Sequence, residues 1–318
     1  MNTPATIHTP IIKRSKNFPW TNLQVKRADQ VLNIVDELRN WLPLTLRQVF
    51  YQIVAKGHLK NTRSFYNTLS KLLKHMRIDG QLEWSAIEDA TRAINDNTGF
   101  LTWQEFAGIE TDYFLNGYSR NLGQGQSNHI ELWYEKSALS RIFQAAARPY
   151  CISTFSTRGF TSITALHDFY DRAEYAKSKG QVPTILFFSD LDPSGVEMLP
   201  AIQNVLINDF GLTGIKYKRV ALTPKQAKLF KLPKSVDAIK KGDKRAPAFI
   251  KKYGNTAIEL DALHPQQLQK LVQDAIESQL DLDQFHKEMT TEKQDHKTIS
   301  ALRADVTEYV TEWFDNIS

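Results

Sequence analysis

At 318 residues, with 42% hydrophobic and 24% charged side chains, the chain has the composition of an ordinary folded protein and room for two domains that each bury a core. Its single cysteine, Cys151, excludes an intramolecular disulfide and a cysteine-rich zinc site and fits a reducing, cytoplasmic compartment; no apolar run approaches the length of a membrane span, and the N-terminus lacks the apolar core of a secretion signal. The formal charge of +5 is modest, but from Leu38 to Ile78 there are eight Lys and Arg and no acid, whereas from Asn255 onward thirteen acids face five bases. An acid-free basic stretch that includes aromatics points to a polyanion partner, with a solvated face as the plainer alternative.

Residues 1–20 are rich in Thr, Pro and Lys without periodicity and are expected to be a flexible basic arm. Apolar positions Val25, Val31, Ile34, Val35 and Leu38 predict a first helix over Asn22–Trp41, ended by Pro43. Thr45 is a suitable N-cap for a second helix, Leu46–Lys56, closed by Gly57. On a helical wheel Leu46, Val49, Phe50, Ile53 and Val54 share one face, and Tyr51 falls off it, one turn after Arg47. Tyr51 is therefore not expected in the core. A phenol of ordinary pKa, about 10, is ionised about once in a thousand at neutral pH, and a guanidinium one turn away favours that anion and could hold a phosphate beside it. The alternative is a rim tyrosine stacked on a neighbour. A third helix, Thr62–Arg77, carries Arg63, Lys71, Lys74 and Arg77 around an apolar line of Phe65, Leu69, Leu72 and Leu73, and the strand-like Leu82–Trp84 follows. Together these describe a winged helix-turn-helix domain over 21–95, with the third helix placed for a DNA groove and those four bases as phosphate contacts.

Residues 96–128 are punctuated by Asn116-Gly117 and Gly123-Gln-Gly125 and read as a linker. From 129 to 265 strand and helix alternate at the pace of βαβ units, with strands expected at Ile130–Tyr134, Tyr150–Phe155, Pro183–Ser189, Ile215–Leu222 and Thr256–Leu263. The chain is thus an α/β protein of two domains, the second a parallel sheet, whose ligands gather at the carboxyl ends of strands. Glu135 closes one strand there, and Asp190 and Asp192 close another at i and i+2 before Pro193 bends the chain. Two close carboxylates outline a site for a hard divalent ion, oxygen ligands favouring magnesium; alternatively Asp190 caps the helix beginning near Ser194 and Asp192 makes an Asx turn. Lys225–Lys252 is either a solvated surface or a second phosphate contact, Glu259 and Asp261 are accessory acids of open role, and 266–318, with Pro265 at its start, is an acidic helical extension, solvated or dimer-forming.

Glu135 followed about fifty-five residues later by Asp190-Leu191-Asp192 resembles the TOPRIM domain of topoisomerases and primases, and Arg47-Gln-Val-Phe-Tyr51 resembles the Arg-x-x-aromatic-Tyr motif of type IIB topoisomerase A subunits and the related meiotic double-strand-break transesterase. Glu135-Lys136-Ser137-Ala138 and Ile258–Leu263 also look like segments of that family, so the likeness spans roughly residues 25–265 and is nearest to the short stand-alone Mini-A proteins of bacteria, plasmids and phages. The resemblance implies that Tyr51 attacks double-stranded DNA to give a 5′-phosphotyrosyl link, assisted by Arg47, while Glu135, Asp190 and Asp192 hold Mg2+. It also implies a homodimer in which each tyrosine works with its partner's metal site, and a separate GHKL-type ATPase B subunit as a candidate partner. One tyrosine per chain cuts one strand, so a double-strand break needs two copies in any case. The sequence departs from the family pattern at Asp192-Pro193-Ser194-Gly195, where Asp-Pro-Tyr-Gly is usual. Two rival expectations are a TOPRIM nuclease of a defence or plasmid-restriction system and a DNA-binding protein without catalysis.

Overall fold

A computed structural model describes residues 19–88, 99–159, 161–235, 239, 242–255 and 257–317. The arm expected at 1–20 lies outside the described residues except at its end, where the Trp20 indole donates to Asp79 at 2.8 Å.

Three helices open the chain: α1 (Asn22–Glu37), α2 (Leu46–Ala55) and α3 (Arg63–Ile78). The sequence expectations hold to within a few residues, α1 being the shorter because a turn of 3-10 helix replaces its end at Arg39–Trp41. Thr45 caps α2 in a reciprocal box, Gln48 N–H donating to the Thr45 hydroxyl and Thr45 N–H to the Gln48 side chain. Leu82–Trp84 does not form the expected strand. A two-residue strand β2 (Ile87–Glu88) pairs instead, in parallel, with β1 (Leu44–Thr45). The segment expected as a linker contains a helix, α4 (Trp103–Tyr113), which lies against the long C-terminal helix described below.

The second unit is a parallel sheet in the order β4-β3-β5-β6, made of β3 (Asn128–Tyr134), β4 (Ser153–Ser156), β5 (Val182–Phe188) and β6 (Lys216–Ala221). The connecting helices are α5 (Ser140–Ala147), α6 (Ile163–Ser178) and α7 (Gly195–Asn204), the last continued by a wider turn to Asp209. Alternate side chains of the buried strands enter different layers. Leu132, Tyr134, Leu186 and Phe188 pack with α5, while Trp133, Ile185 and Phe187 pack with α6 and α7. Two short helices follow, α8 (Pro224–Leu229) and α9 (Ala246–Tyr253), in the lysine-rich region, part of which lies outside the described residues. α10 (Pro265–Glu277) joins α5 on its face of the sheet, and α11 (Leu282–Ile317) runs outward to take up Arg120 through Glu288 and α4 through Trp103 and Phe314.

The strand expected at Thr256–Leu263 is a correction: Thr256 lies outside the described residues, and the rest makes single bridges, Ala257 to Ser235 and Ile258 to Leu191, before a 3-10 turn at Leu260–Ala262. That irregularity matters, because the turn packs on α2 and buries the helix on the side that the wheel had left open. The apolar core is consequently continuous from α1–α3 to the α5 and α10 face of the sheet.

Candidate active site

β3 leads to β4 on one side and β5 to β6 on the other, so the loops after β3 and β5 part company and leave a crevice at the carboxyl edge of two adjacent strands. Glu135 stands at the end of β3 and Asp190 at the end of β5. The backbone N–H of Asp190 donates to Glu135 Oε2 at 3.1 Å, and the Glu135 N–H to the Phe188 carbonyl, which fixes the two loops against each other. Gly195 is required here, since a Cβ at that position would stand 2.3 Å from the Asp190 carbonyl oxygen. Arg219 from β6 closes the back of the loop by donating to the Asp190 carbonyl at 2.7 Å.

The two aspartates play different parts. Asp192 Oδ1 accepts the Gly195 N–H at 2.6 Å, the Asx-type turn that the sequence allowed. Asp190 is buried and does not cap α7; its Oδ1 accepts the Leu260 N–H at 2.7 Å, and its Oδ2 lies 3.0 Å from Lys136 Nζ. Together with the Leu191–Ile258 bridge, this draws Glu259 and Asp261 to the acid edge. Lys136 then sits among three carboxylates, at 3.0 Å from Asp190, 2.7 Å from Glu259 and 2.9 Å from Asp261.

Arg47 and Tyr51 approach from α2. Arg47 Nη1 is 3.1 Å from Glu259 and 3.8 Å from Asp261. Tyr51 is only 3% exposed, contrary to the expectation that it avoids the core, and it lines the same cleft as Glu259. Its ring meets Phe50 edge-on at 5.6 Å, as the stacked alternative allows. Arg47 does favour the phenolate, but burial and then the Glu259 charge outweigh it and Lys136, and the Tyr51 pKa ends well above the ordinary phenol value. Glu259 ends below the usual carboxylate range, because Lys136 and Arg47 overcome its burial. Glu135 and Asp190 go the other way. Burial raises both, and the nearby carboxylates add to it, Asp192 for Glu135, and Glu135 and Asp261 for Asp190.

Two clefts meet at this point. One, of about 690 Å³, is lined by Arg47, Tyr66, Arg77, Glu135, Lys136 and Arg158; the other, of about 420 Å³, by Arg47, Tyr51, Arg63, Tyr66 and Glu259. Of the four bases expected to meet DNA, Arg63 and Arg77 line these clefts, with the Arg77 guanidinium over the Trp84 ring at 5.1 Å. Lys71 and Lys74 lie on the exposed surface of α3, outside the clefts. Arg63, Asn67, Ser70, Lys74 and Arg77 share an arc of about 80° on that helix at ~100° per residue, and Lys71 falls beside it.

An all-oxygen donor set with crowded negative charge suits a hard divalent cation, and Asp261 Oδ1, buried, has no hydrogen-bond donor among the described residues. The donor types fit Mg2+, yet among the described residues no three such side chains are grouped as a coordination shell, and the neutralising charge at hand is that of Lys136. Sequence reasoning had named Glu135, Asp190, Asp192, Arg47 and Tyr51, and it had left Glu259 and Asp261 without a role. It gave no role to Lys136, although that lysine follows the strand-closing glutamate directly and belongs to the Glu135-Lys136-Ser137-Ala138 segment. No protein-family model matches the chain, and neither a curated protein nor a solved structure matches it significantly. Among the described residues no helix is long and apolar enough to cross a membrane.

Proposed function

We propose that this chain is a magnesium-dependent DNA-cleaving transesterase resembling type IIB topoisomerase A subunits, with Tyr51 as nucleophile and a homodimer as the unit that breaks both strands. The observation that carries the reading is that Tyr51, Arg47, Glu135, Glu259 and Asp261 border one pair of joined clefts beside the switch point of a parallel sheet, with Arg63 and Arg77 of α3 on their walls. Such a sheet supports the TOPRIM part of the likeness, and three helices ahead of it, with Arg63 and Arg77 in the clefts, support a helix-turn-helix that meets DNA.

Each residue then has a task. Arg63, Lys71, Lys74 and Arg77 bind the sugar-phosphate backbone, and their contacts carry no sequence information. Arg47, half-exposed between the clefts, orients the phosphodiester to be broken. Glu135, Asp190 and Asp192 would hold Mg2+, which when bound neutralises the phosphodiester and stabilises the leaving 3′-oxygen. Tyr51 attacks phosphorus, and the resulting phosphotyrosyl bond keeps the energy needed to reseal the strand.

The test is incubation with labelled plasmid and Mg2+ followed by denaturation. Wild type should carry covalently attached DNA and Tyr51→Phe none. A metal-dependent nuclease is the second reading, favoured by the burial of Tyr51 against Glu259. It requires cleavage without attachment that survives Tyr51→Phe.

A further inference from the structure

Among the described residues four cations line the larger cleft, and three of them are already engaged. Arg47 faces Glu259, Lys136 is divided among Asp190, Glu259 and Asp261, and the Arg77 guanidinium lies over the Trp84 ring. The fourth, Arg158, is exposed and has neither a carboxylate nor a ring against it among the described residues. Its place is fixed by the strand before it. β4 pairs with β3 as far as Ser156 opposite Tyr134, and the Thr157 N–H still donates to the Tyr134 carbonyl at 2.9 Å. The chain therefore leaves the sheet at Arg158, beside the end of β3 where Glu135 and Lys136 stand. Arg158 makes that exit at a φ of +50°, left-handed backbone that a residue with a Cβ seldom adopts and that glycine takes at lower steric cost. An arginine kept in such a conformation, unpaired on a cleft wall, is a charge held ready for a ligand.

We propose that Arg158 is a phosphate-binding residue on the sheet side of the larger cleft, where it holds a DNA phosphodiester other than the one presented to Tyr51 in the smaller cleft. The proposal rests on the DNA-binding part of the reading above and adds a contact from the sheet to those made by α3. Without it the cleft is electrostatically one-sided. Glu135 and Asp261 stand on its sheet side, so a phosphodiester that enters meets negative charge there, while Arg77 faces it from α3. The Arg158 guanidinium offsets that repulsion and can present two N–H groups to one phosphate. It has no ion pair to give up first, unlike Arg47 and Lys136. The DNA strand is then gripped from both walls, by Arg77 on one and Arg158 on the other, through contacts that carry no base sequence information.

The test is binding of the full chain to a short fluorescent DNA duplex, without Mg2+, followed by anisotropy over a range of salt concentrations. Arg158→Gly removes the guanidinium and suits the backbone. The logarithm of its binding constant should fall with the logarithm of salt less steeply than in wild type, by about 0.9, the share of one phosphate contact, and equally on duplexes of unrelated sequence. Its melting temperature should rise by about 2 °C as the left-handed strain is relieved. Arg158→Lys keeps a charge and should keep the wild-type slope. Lys179→Gln removes the same charge from the opposite, amino edge of the sheet, ahead of β5, and should leave the slope unchanged. An unchanged slope in Arg158→Gly, or an equal loss in Lys179→Gln, overturns the proposal. So does a lower melting temperature in Arg158→Gly, because Arg158 would then serve the fold. A wild type that binds no DNA defeats the DNA reading and this contact together, whereas a wild type that binds and is matched by Arg158→Gly defeats this contact alone.

Discussion

Strand β3 carries one buried glutamate and ends against a half-buried one, and the two illustrate opposite uses of a carboxylate. Glu131 lies within the strand and faces α6, where Arg172 donates to both of its oxygens at 2.7 and 3.0 Å and the Trp133 indole donates at 3.0 Å. Burial alone would raise its pKa, but the His129 ring nitrogen 3.5 Å away, the hydrogen bonds and charge of Arg172, and the Trp133 indole bring it down to about 2. Glu135, four residues on and just past the strand, takes one backbone N–H and faces other acids, so burial and Asp192 push its pKa up. One end of the sheet is electrostatically satisfied; the other carries crowding that a ligand can relieve. Where the charges are satisfied a carboxylate serves the fold, and where they are not it is available for chemistry.

That contrast can be broken in three ways. The largest effect belongs to the crowded end. Asp192→Asn keeps an oxygen to accept the Gly195 N–H but removes a charge from the cluster, so covalent attachment should fall about a thousandfold, some 4 kcal/mol, as expected for loss of a metal ligand, while the melting temperature barely changes. Quantitative plasmid cleavage and calorimetry measure the pair of outcomes.

At the satisfied end the signs reverse. Glu131→Gln should cost about 3 kcal/mol of stability in denaturant titrations, because it breaks a buried ion pair, and leave the cleavage rate per folded molecule within about twofold. The pH dependence follows from the depressed pKa. The Glu131 contribution is fully present above the ordinary glutamate value of 4.5 and is lost as pH falls through its folded value of about 2. The stability difference between wild type and Glu131→Gln should therefore be constant at neutral pH and close towards pH 2. A difference that persisted at pH 2 would assign the cost to packing instead.

The smallest effect is that of the cation itself. If the acids at the switch point take Mg2+, ten times its dissociation constant should stabilise wild type by about 1.4 kcal/mol and Asp192→Asn by much less, whereas Glu131→Gln should respond as wild type does. Thermal shift against Mg2+ concentration reads all three proteins.

The sequence by itself determined the local elements and most of the chemical inventory. Periodicity and caps such as Thr45 located α1–α3, alternation of strand and helix located β3 to β6, and chain punctuation put Glu135 and Asp190 at strand ends, because each of these signals is set by neighbours within a few residues. The segment at 96–128 misled for the same reason. Its turn-forming residues hid α4, which has no buried side chain of its own and is held by long-range contacts with α11. Only the tertiary structure decided that Tyr51 is buried, since a helical wheel shows one apolar face and knows nothing of the Leu260–Ala262 turn that covers the other. It also decided that Lys136 joins Asp190, Glu259 and Asp261, residues up to 125 positions away in the chain. Charge pairing of that kind depends on distance in space, and the order of residues fixes it only through the complete fold.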